Sequence, residues 1–393
     1  MTKLELLLKY VYEHNNFYKN RIKEYGIKNP LDINQWPVLD PTHVYLINQG
    51  KDCYEQKMKV ICSSGSSGQT KKIIWAQSDY IKMCLNAWRL RNRWYHISPS
   101  MKTLSFYGVT YYNDFIDLIN SNKEYYFSNG SLLINYSFLY SNPKATQRVI
   151  NNFSPELIIA LPSILSFLIN KNIVNEFVDG VKYIELIGEK SLPSQREYFA
   201  NVFKKAKIVN MYGTSETGVV ALECPCGKMH VISDNCYVEN SYNDNILLTS
   251  LTNTLSPFIR YDIGDQGIVE NGLCDCGYNS QVITELSGRE AEEIILSDGS
   301  SISSSFIMDC IVSVNIEFNC SILYYSALQK EPGAIEISIT LSDEYLNWAS
   351  TILSKVRNRI IRIVNSNLTV IFSVKTHDMG IKQNLFKSLI NKK

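Results

Sequence analysis

The chain has 393 residues, 45% of them hydrophobic and 20% charged, with a formal net charge of +1. That length allows more than one domain with a sizeable core, and the composition is that of an ordinary globular protein. Near-neutral charge, without a Lys/Arg cluster interleaved with aromatics, argues against a nucleic-acid partner.

Residues 1–50 read as helix and then irregular chain. Leu6, Leu7, Tyr10, Val11 and His14 fall at helical spacing, and Pro37 and Pro41 close the segment. Met1-Thr2-Lys3-Leu4-Glu5 lacks the apolar core and cleavage site of a signal peptide. From about residue 58, β-rich runs alternate with amphipathic helices. Lys59-Val60-Ile61-Cys62 and Lys72-Ile73-Ile74-Trp75 read as strands on either side of a polar loop, and seven of the eight residues from Ser63 to Thr70 are Ser, Thr or Gly. Such a loop bares N–H groups and hydroxyls with little bulk, which suits a phosphate chain; a plain polar linker has the same composition. It is not a Walker A loop, which needs G-x-x-x-x-G-K-[ST] between a strand and a helix.

The longest apolar run, Leu157 to Ile169, is interrupted by Pro162, Ser163 and Ser166 and is too short to cross a membrane. A cytoplasmic chain with no transmembrane segment is expected. Residues 182–187 predict a strand ending at Gly188. Ser194-Gln195-Arg196-Glu197 has capping-box spacing, with Phe199, Val202 and Phe203 as the stripe of the helix it would open. Residues 207–211 predict the next strand. Strand–helix–strand of this length implies parallel pairing and an α/β layer structure.

Directly after that strand, Tyr212-Gly213-Thr214-Ser215-Glu216 sets an aromatic ring, two hydroxyls and a carboxylate within five residues. That set can stack on a base, hold phosphate oxygens and recruit Mg²⁺. Beyond Gly288 the pattern changes. Ile294–Leu296, a turn at Asp298-Gly299, a helix near Ser304–Val314, and a strand through Ile335, Ile337, Ile339 and Leu341 come first. A helix through Leu346, Ala349, Leu353, Val356 and Ile360 and a strand through Leu368, Val370, Phe372 and Val374 follow. The expected fold is α/β: a large N-terminal layered α/β domain (1–288) and a smaller C-terminal α+β domain (289–393).

Of ten cysteines, Cys53, Cys62, Cys84, Cys310 and Cys320 are scattered and read as small core residues. Cys224, Cys226, Cys236, Cys274 and Cys276 are clustered, which in a cytoplasmic chain reads as metal before disulfide.

Four motifs in order then resemble the adenylate-forming enzymes, the acyl-CoA synthetase superfamily. Ser63 to Lys71 resembles their phosphate loop. Tyr212 to Glu216 resembles Y-G-x-T-E, with Thr and Ser both preceding the Glu. Arg260-Tyr261-Asp262-Ile263-Gly264-Asp265 resembles the G-D motif and Ser287-Gly288-Arg289 the hinge motif. More narrowly, Asn16-Phe17-Tyr18, Gly188-Glu189, Arg260-Tyr261 and the Cys/His cluster are similar to the phenylacetate–CoA ligase and capsule-biosynthesis ligase-like branch.

The resemblance implies ATP-dependent activation of a carboxylic acid as acyl-AMP. Transfer to a thiol (CoA or a carrier-bound phosphopantetheine) or to an amine follows, the latter in surface polysaccharide biosynthesis. It implies that Ser63, Ser64, Gly65, Ser66, Ser67 and Gly68 cradle phosphates. Gly188, Glu189, Gly213, Thr214 and Ser215 line the nucleotide, Tyr212 stacks on adenine, and Asp265 accepts from the ribose hydroxyls. Glu216 would hold Mg²⁺ and Arg289 would lie near ribose or phosphate at the hinge. Lys382, in Gly380-Ile381-Lys382, is the best match to the family's adenylation lysine, with Lys387, Lys392 and Lys393 as competitors. Ala291-Glu292 stands where the family has an acidic pair. Cys224, His230, Cys274 and Cys276 match the branch's structural Zn²⁺ ligands, with Cys226 as an alternative to Cys224. Ser105-Phe106-Tyr107-Gly108 and Tyr111-Tyr112 fall where the family lines its acyl pocket. Homodimerisation is left open. The rival readings are a lapsed homologue that only binds nucleotide or acyl ligand, and a zinc-dependent hydrolase.

Overall fold

The computed structural model describes residues 1–40, 43, 47, 58–64, 70–107, 125–128, 130–135, 138–139, 142–272, 274–289, 293–303, 307, 310–311, 314, 318, 322–341, 343–364, 368–375 and 386–389. Helices α1 (Lys3–His14) and α2 (Asn16–Glu24) open it. Thr2 and Glu5 cap α1 reciprocally: the Thr2 N–H donates to Glu5 Oε2 (2.7 Å) and the Glu5 N–H to Thr2 Oγ1 (3.2 Å). Leu7, Leu8 and Val11 are buried, whereas Leu6 and Tyr10 are exposed. The helix expected from the spacing is present, with Leu7 and Val11 on its buried side. Either set fits the helical period, and packing against Tyr18, Ile22 and Trp36 selects the first.

The two strands expected on either side of the polar loop, β1 (Met58–Ser64) and β2 (Thr70–Ala76), pair antiparallel, with Ser64 opposite Thr70. Helix α3 (Gln77–Tyr95) leads into the main sheet. Its strands are β3 (Thr103–Tyr107), β4 (Tyr125–Ser128), β5 (Ser131–Asn135), β6 (Leu157–Ala160), β7 (Tyr183–Leu186), β8 (Lys207–Thr214) and β9 (Gly218–Glu223). They continue with β10 (Met229–Val231), β11 (Cys236–Asn240), β12 (Asn245–Ser250), β13 (Tyr261–Gly272) and β14 (Ser280–Arg289). The spatial order is β11-β12-β13-β14-β10-β9-β8-β7-β6-β3-β5-β4.

The half from β5 through β3, β6 and β7 to β8 is parallel, with helices α4 (Pro143–Phe153), α5 (Pro162–Asn170) and α6 (Pro193–Val202) in its connections. All four residues of β7 are buried, as expected of a parallel strand covered on both faces. Its one carboxylate, Glu185, is held by Arg91 of α3 through a bidentate pair (2.7 and 2.6 Å) and by the Tyr183 hydroxyl (2.9 Å). A buried charge needs such pairing to be tolerated. The long apolar run divides into β6 and α5 at Leu161-Pro162, and among the described residues no helix is long and apolar enough to cross a membrane.

Helix α6 starts two residues earlier than the capping-box spacing suggested. Leu192 precedes it, and the Leu192 N–H donates to Gln195 Oε1 (3.0 Å). Pro193 fixes this start, because a proline at the first helical position lacks only an N–H that would be orphaned anyway.

The C-terminal part has its own core. Strands β15 (Glu293–Ile295) and β16 (Ser301–Ser303) pair across the Asp298-Gly299 turn, where Gly299 has φ +81°. Ile307, Cys310, Ile311 and Val314 are helical and buried, a one-face spacing. Strands β17 (Ile322–Glu331), β18 (Ala334–Leu341), β19 (Thr369–Lys375) and β20 (Phe386–Ser388) form a sheet in the order β19-β18-β17-β20. Helix α7 (Ala349–Val364) buries Ile352, Val356 and Ile360 in the same core as Ile335, Ile337 and Ile339 of β18. The fold is thus a large sheet-rich α/β part followed by a smaller C-terminal sheet part.

Candidate active site

Strand β8 is where the main sheet changes character. Tyr183 to Leu186 of β7 pair in parallel with Lys207 to Asn210, whereas Met211 to Thr214 pair antiparallel with β9. Tyr212, Gly213 and Thr214 therefore leave the carboxyl end of the last parallel strand, where open α/β sheets bind ligands. On the neighbouring strand, β7 is followed by Ile187, then Gly188 in the left-handed region (φ +70°) and Glu189.

Ser215, Glu216 and Thr217 form the turn into β9. Thr214 Oγ1 accepts from the Thr217 N–H (3.1 Å) and lies 2.9 Å from Thr217 Oγ1, so the turn is tied at its base. Gly213 is required by space and Gly218 by its backbone conformation. A Cβ on Gly213 would lie 2.8 Å from the Gly218 carbonyl oxygen, and one on Gly218 would lie 2.6 Å from Met83 Cε. Gly218 also has φ +73°.

Strand β13 brings the second motif to this turn. The Tyr212 hydroxyl donates to Asp265 Oδ2 (2.8 Å), and the Tyr261 hydroxyl donates to Glu216 Oε1 (3.1 Å). Each motif thus puts one tyrosine and one carboxylate into these bonds, and each tyrosine bonds the other motif's carboxylate. The preceding Arg260 has φ +49°. Its Nη1 donates to the Trp36 carbonyl (2.6 Å), and its Nε lies 3.3 Å from Glu239 Oε2 on β11. Leu39 bridges the same segment: its N–H donates to the Arg260 carbonyl and its carbonyl accepts from the Asp262 N–H. Arg260 therefore anchors the start of β13 to the N-terminal segment. Burial pushes the Glu239 carboxyl above its ordinary value, with Arg260 opposing. Asp262 Oδ1 accepts from the Gly264 N–H (2.9 Å), closing the turn at Gly264 (φ +78°) before Asp265.

Arg289 ends β14 and is the cross-strand partner of Asp265. Ser63 and Ser64 end β1. Gly65, Ser66, Ser67, Gly68, Lys382 and the Ala291-Glu292 pair lie outside the described residues, as do Lys392 and Lys393; Lys387 lies in β20. Ser105, Phe106 and Tyr107 lie on β3, where Phe106 packs against the main core. Gly108, Tyr111 and Tyr112 lie outside the described residues.

The cysteine cluster forms a second site at the opposite ends of β9 and β14. Cys224, His230, Cys274 and Cys276 bring one ligand atom each to within 4.8 Å of one another. Cys224 Sγ lies 3.8 Å from Cys274 Sγ, and Cys276 Sγ lies 3.4 Å from His230 Nε2. Two similar turns present the thiols. The Gly227 N–H donates to the Cys224 carbonyl (2.8 Å) and the Gly277 N–H to the Cys274 carbonyl (2.9 Å). Both glycines are left-handed, at φ +76° and +70°. Ser280 Oγ lies 3.0 Å from His230 Nδ1 and 3.1 Å from the Gln281 carbonyl oxygen. With Nδ1 partnered by Ser280, Nε2 is the ring nitrogen that faces the thiols, the side a ligating imidazole must present. Burial pushes the Cys276 thiol up to about 12, whereas a hydrogen bond from the Cys276 backbone draws Cys274 down. Cys226 is exposed and lies outside this set of four, and Cys236 is buried elsewhere in the core.

Sequence reasoning assigned no role to Tyr261, Thr217, Met83 or Ser280. Thr217 had a local signal, since a Thr three residues after Thr214 can tie a turn. The other three act across 45 or more residues, as in the Tyr261–Glu216, Met83–Val219 and Ser280–His230 contacts.

No protein-family model and no curated protein sequence matches the chain. Solved structures do. A 2-hydroxyisobutyryl-CoA ligase in a postadenylation complex superimposes with TM-score 0.69 at 14% identity, covering 99% of this chain and 88% of its own. An anthranilate CoA ligase in complex with anthranoyl-AMP gives 0.54 at 12% identity, covering 84% and 64%. A fatty acyl-adenylate ligase, from a study of the E. coli and L. pneumophila enzymes, gives 0.54 at 14% identity, covering 80% and 65%. These neighbours are adenylate-forming enzymes, and the chain has their fold.

Proposed function

We propose that this chain is an ATP-dependent adenylate-forming ligase. A substrate carboxylate attacks the α-phosphate of ATP, releasing pyrophosphate and leaving an acyl-AMP mixed anhydride. A thiol or amine then attacks the acyl carbon and releases AMP. The observation that carries this reading is the convergence of Tyr212, Glu216 and Asp265 at the parallel-to-antiparallel switch of the sheet, tied by the Tyr212–Asp265 bond.

In this reading Tyr212 offers its ring face to adenine and Asp265 accepts from the ribose hydroxyls. The hydroxyls of Thr214 and Ser215 lie on the phosphate side, with Gly188 and Glu189 on the adjoining strand end and Ser63 to Gly68 closing over the phosphates. Glu216 holds Mg²⁺, which when bound offsets repulsion between the substrate carboxylate and the α-phosphate. Lys382 and Arg289 complete the charge around the phosphate from the C-terminal side, with the domain boundary at 288/289. Phe106 borders the acyl group.

The donor set Cys224, His230, Cys274 and Cys276 fits Zn²⁺: three sulfurs and an imidazole nitrogen suit a closed tetrahedral site. The role is structural, joining the turn after β9 to the turn before β14.

CoA is the acceptor we favour, since a 2-hydroxyisobutyryl-CoA ligase and an anthranilate CoA ligase are among the neighbours. An amine acceptor in surface polysaccharide synthesis rests on the sequence resemblance alone. We place the reaction in the cytoplasm, where ATP and CoA are available. The test is pyrophosphate release from Mg·ATP across aryl, fatty, hydroxy and amino acids, without CoA. Acid-dependent release supports the reading. Silence across the panel from protein that binds ATP would replace it with a nucleotide-binding module.

A further inference from the structure

We infer that Tyr261 is the positioning residue for Glu216, setting where the turn after β8 presents its carboxylate; this rests on the adenylation reading above. Glu216 sits in a turn, on a flexible side chain whose several rotors must be fixed before it can hold a cation reproducibly. The tie between Thr214 and Thr217 fixes the backbone of that turn but does not reach the Glu216 carboxylate. The Tyr261 hydroxyl does, donating to Oε1 at 3.1 Å.

Tyr261 is suited to this by its rigidity. It is 1% exposed, its ring meets Phe258 at 5.1 Å, and its backbone pairs with Leu248 on one side and bridges Leu39 on the other. Its ring belongs to the core built by α1, α2, Trp36 and Leu39. An immobile phenol with its hydroxyl pointing out of that core is a fixed donor, and an ionised carboxylate can only accept. The reciprocal bond from Tyr212 to Asp265 runs between the same two motifs. Together the two bonds set the distance between the proposed ribose-binding and metal-binding carboxylates by side chains from both motifs. Displacing either motif moves both carboxylates.

Tyr261→Phe keeps the ring packing and removes only the donor. Two titrations test it: Mn²⁺ binding to the protein–ATP-analogue complex by water-proton relaxation, and the Mg²⁺ dependence of pyrophosphate release. The expected result is a roughly 10-fold rise in the metal concentration needed in both, the scale of one hydrogen bond to a charged group, with metal-free nucleotide affinity unchanged. A small loss of thermal stability with an unchanged metal titration would mean that Glu216 merely satisfies a buried phenol, and the inference fails. If wild-type protein binds neither the analogue nor Mn²⁺ in its presence, the adenylation reading fails and takes this inference with it. A wild type that binds both while Tyr261→Phe matches it overturns the inference alone.

Discussion

Asp265 lies directly opposite Arg289 in the pairing of β13 with β14, at the last rung before the chain leaves the main sheet. The register arrives there irregularly: Gln266 faces Gly288 and Ile268 faces Thr284, so β14 bulges through Glu285, which has φ +51°. The bulge puts Arg289, rather than Ser287, on the rung of Asp265. The residue proposed to read ribose and the residue proposed to mark the hinge are thereby neighbours across one strand pair.

Asp265 gives the most direct test of the nucleotide assignment. Asp265→Ala should weaken ATP binding roughly 10- to 100-fold, because it removes a charged acceptor for the ribose hydroxyls. Asp265→Asn keeps an acceptor for the Tyr212 hydroxyl and should fall between the two. Isothermal titration with ATP decides this, and equal affinities in all three proteins would remove Asp265 from the site.

Gly218 should tolerate no side chain. Its φ is +73°, and an added Cβ would meet Met83 Cε at 2.6 Å. Gly218→Ala should cost about 1–3 kcal/mol through the backbone conformation, with the clash adding to it. Because Gly218 follows the turn that carries Glu216, activity per folded molecule should fall too. Chemical denaturation checks the first part; an unchanged midpoint would show that the turn adapts freely.

The cysteine cluster should make folding depend on metal. Purified protein is expected to carry about one zinc per chain, and Cys274→Ser should lose the metal and lower the unfolding temperature. Elemental analysis paired with a thermal melt measures both. Metal-free protein with the melting temperature of the loaded form would rule out a structural zinc.

Glu239 should leave a mark on the pH dependence of stability. Burial raises its carboxyl above the ordinary 4.5, outweighing the opposing pull of Arg260. An acid with a raised folded value favours the folded state when protonated. Its contribution is therefore full below 4.5 and is lost as pH rises through the folded value. Glu239→Gln should flatten that decline, seen as a shallower slope of melting temperature against pH from 4.5 upward. Identical slopes in mutant and wild type would assign the decline to another group.

Much of the framework was legible because it rests on local spacing. The β1–β2 pair, the β7–α6–β8 unit and the alternating β18 each appear as a period of apolar residues along one stretch of chain. The Cys/His cluster was legible because C-x-C pairs are rare enough to stand out, and the structure brings together the four residues that the family resemblance named, leaving Cys226 exposed. Local spacing was silent where two faces fit one period. It marked α1 as a helix without saying which face is buried; Leu6 and Tyr10 lie outside, because the choice belongs to the partners that α1 packs against.

The sequence by itself determined which residue types were available and their order: a glycine-rich loop, a Tyr–Glu motif, a Gly–Asp motif and a Cys/His cluster. Only the tertiary structure decided how they meet. Tyr212 and Asp265 are 53 residues apart, and Tyr261 and Glu216 are 45 apart. Whether such hydroxyls reach such carboxylates depends on the order of strands in the sheet and on the register of β8, β9 and β13. Those are set by which apolar faces bury one another across the whole fold, a property no window of sequence contains.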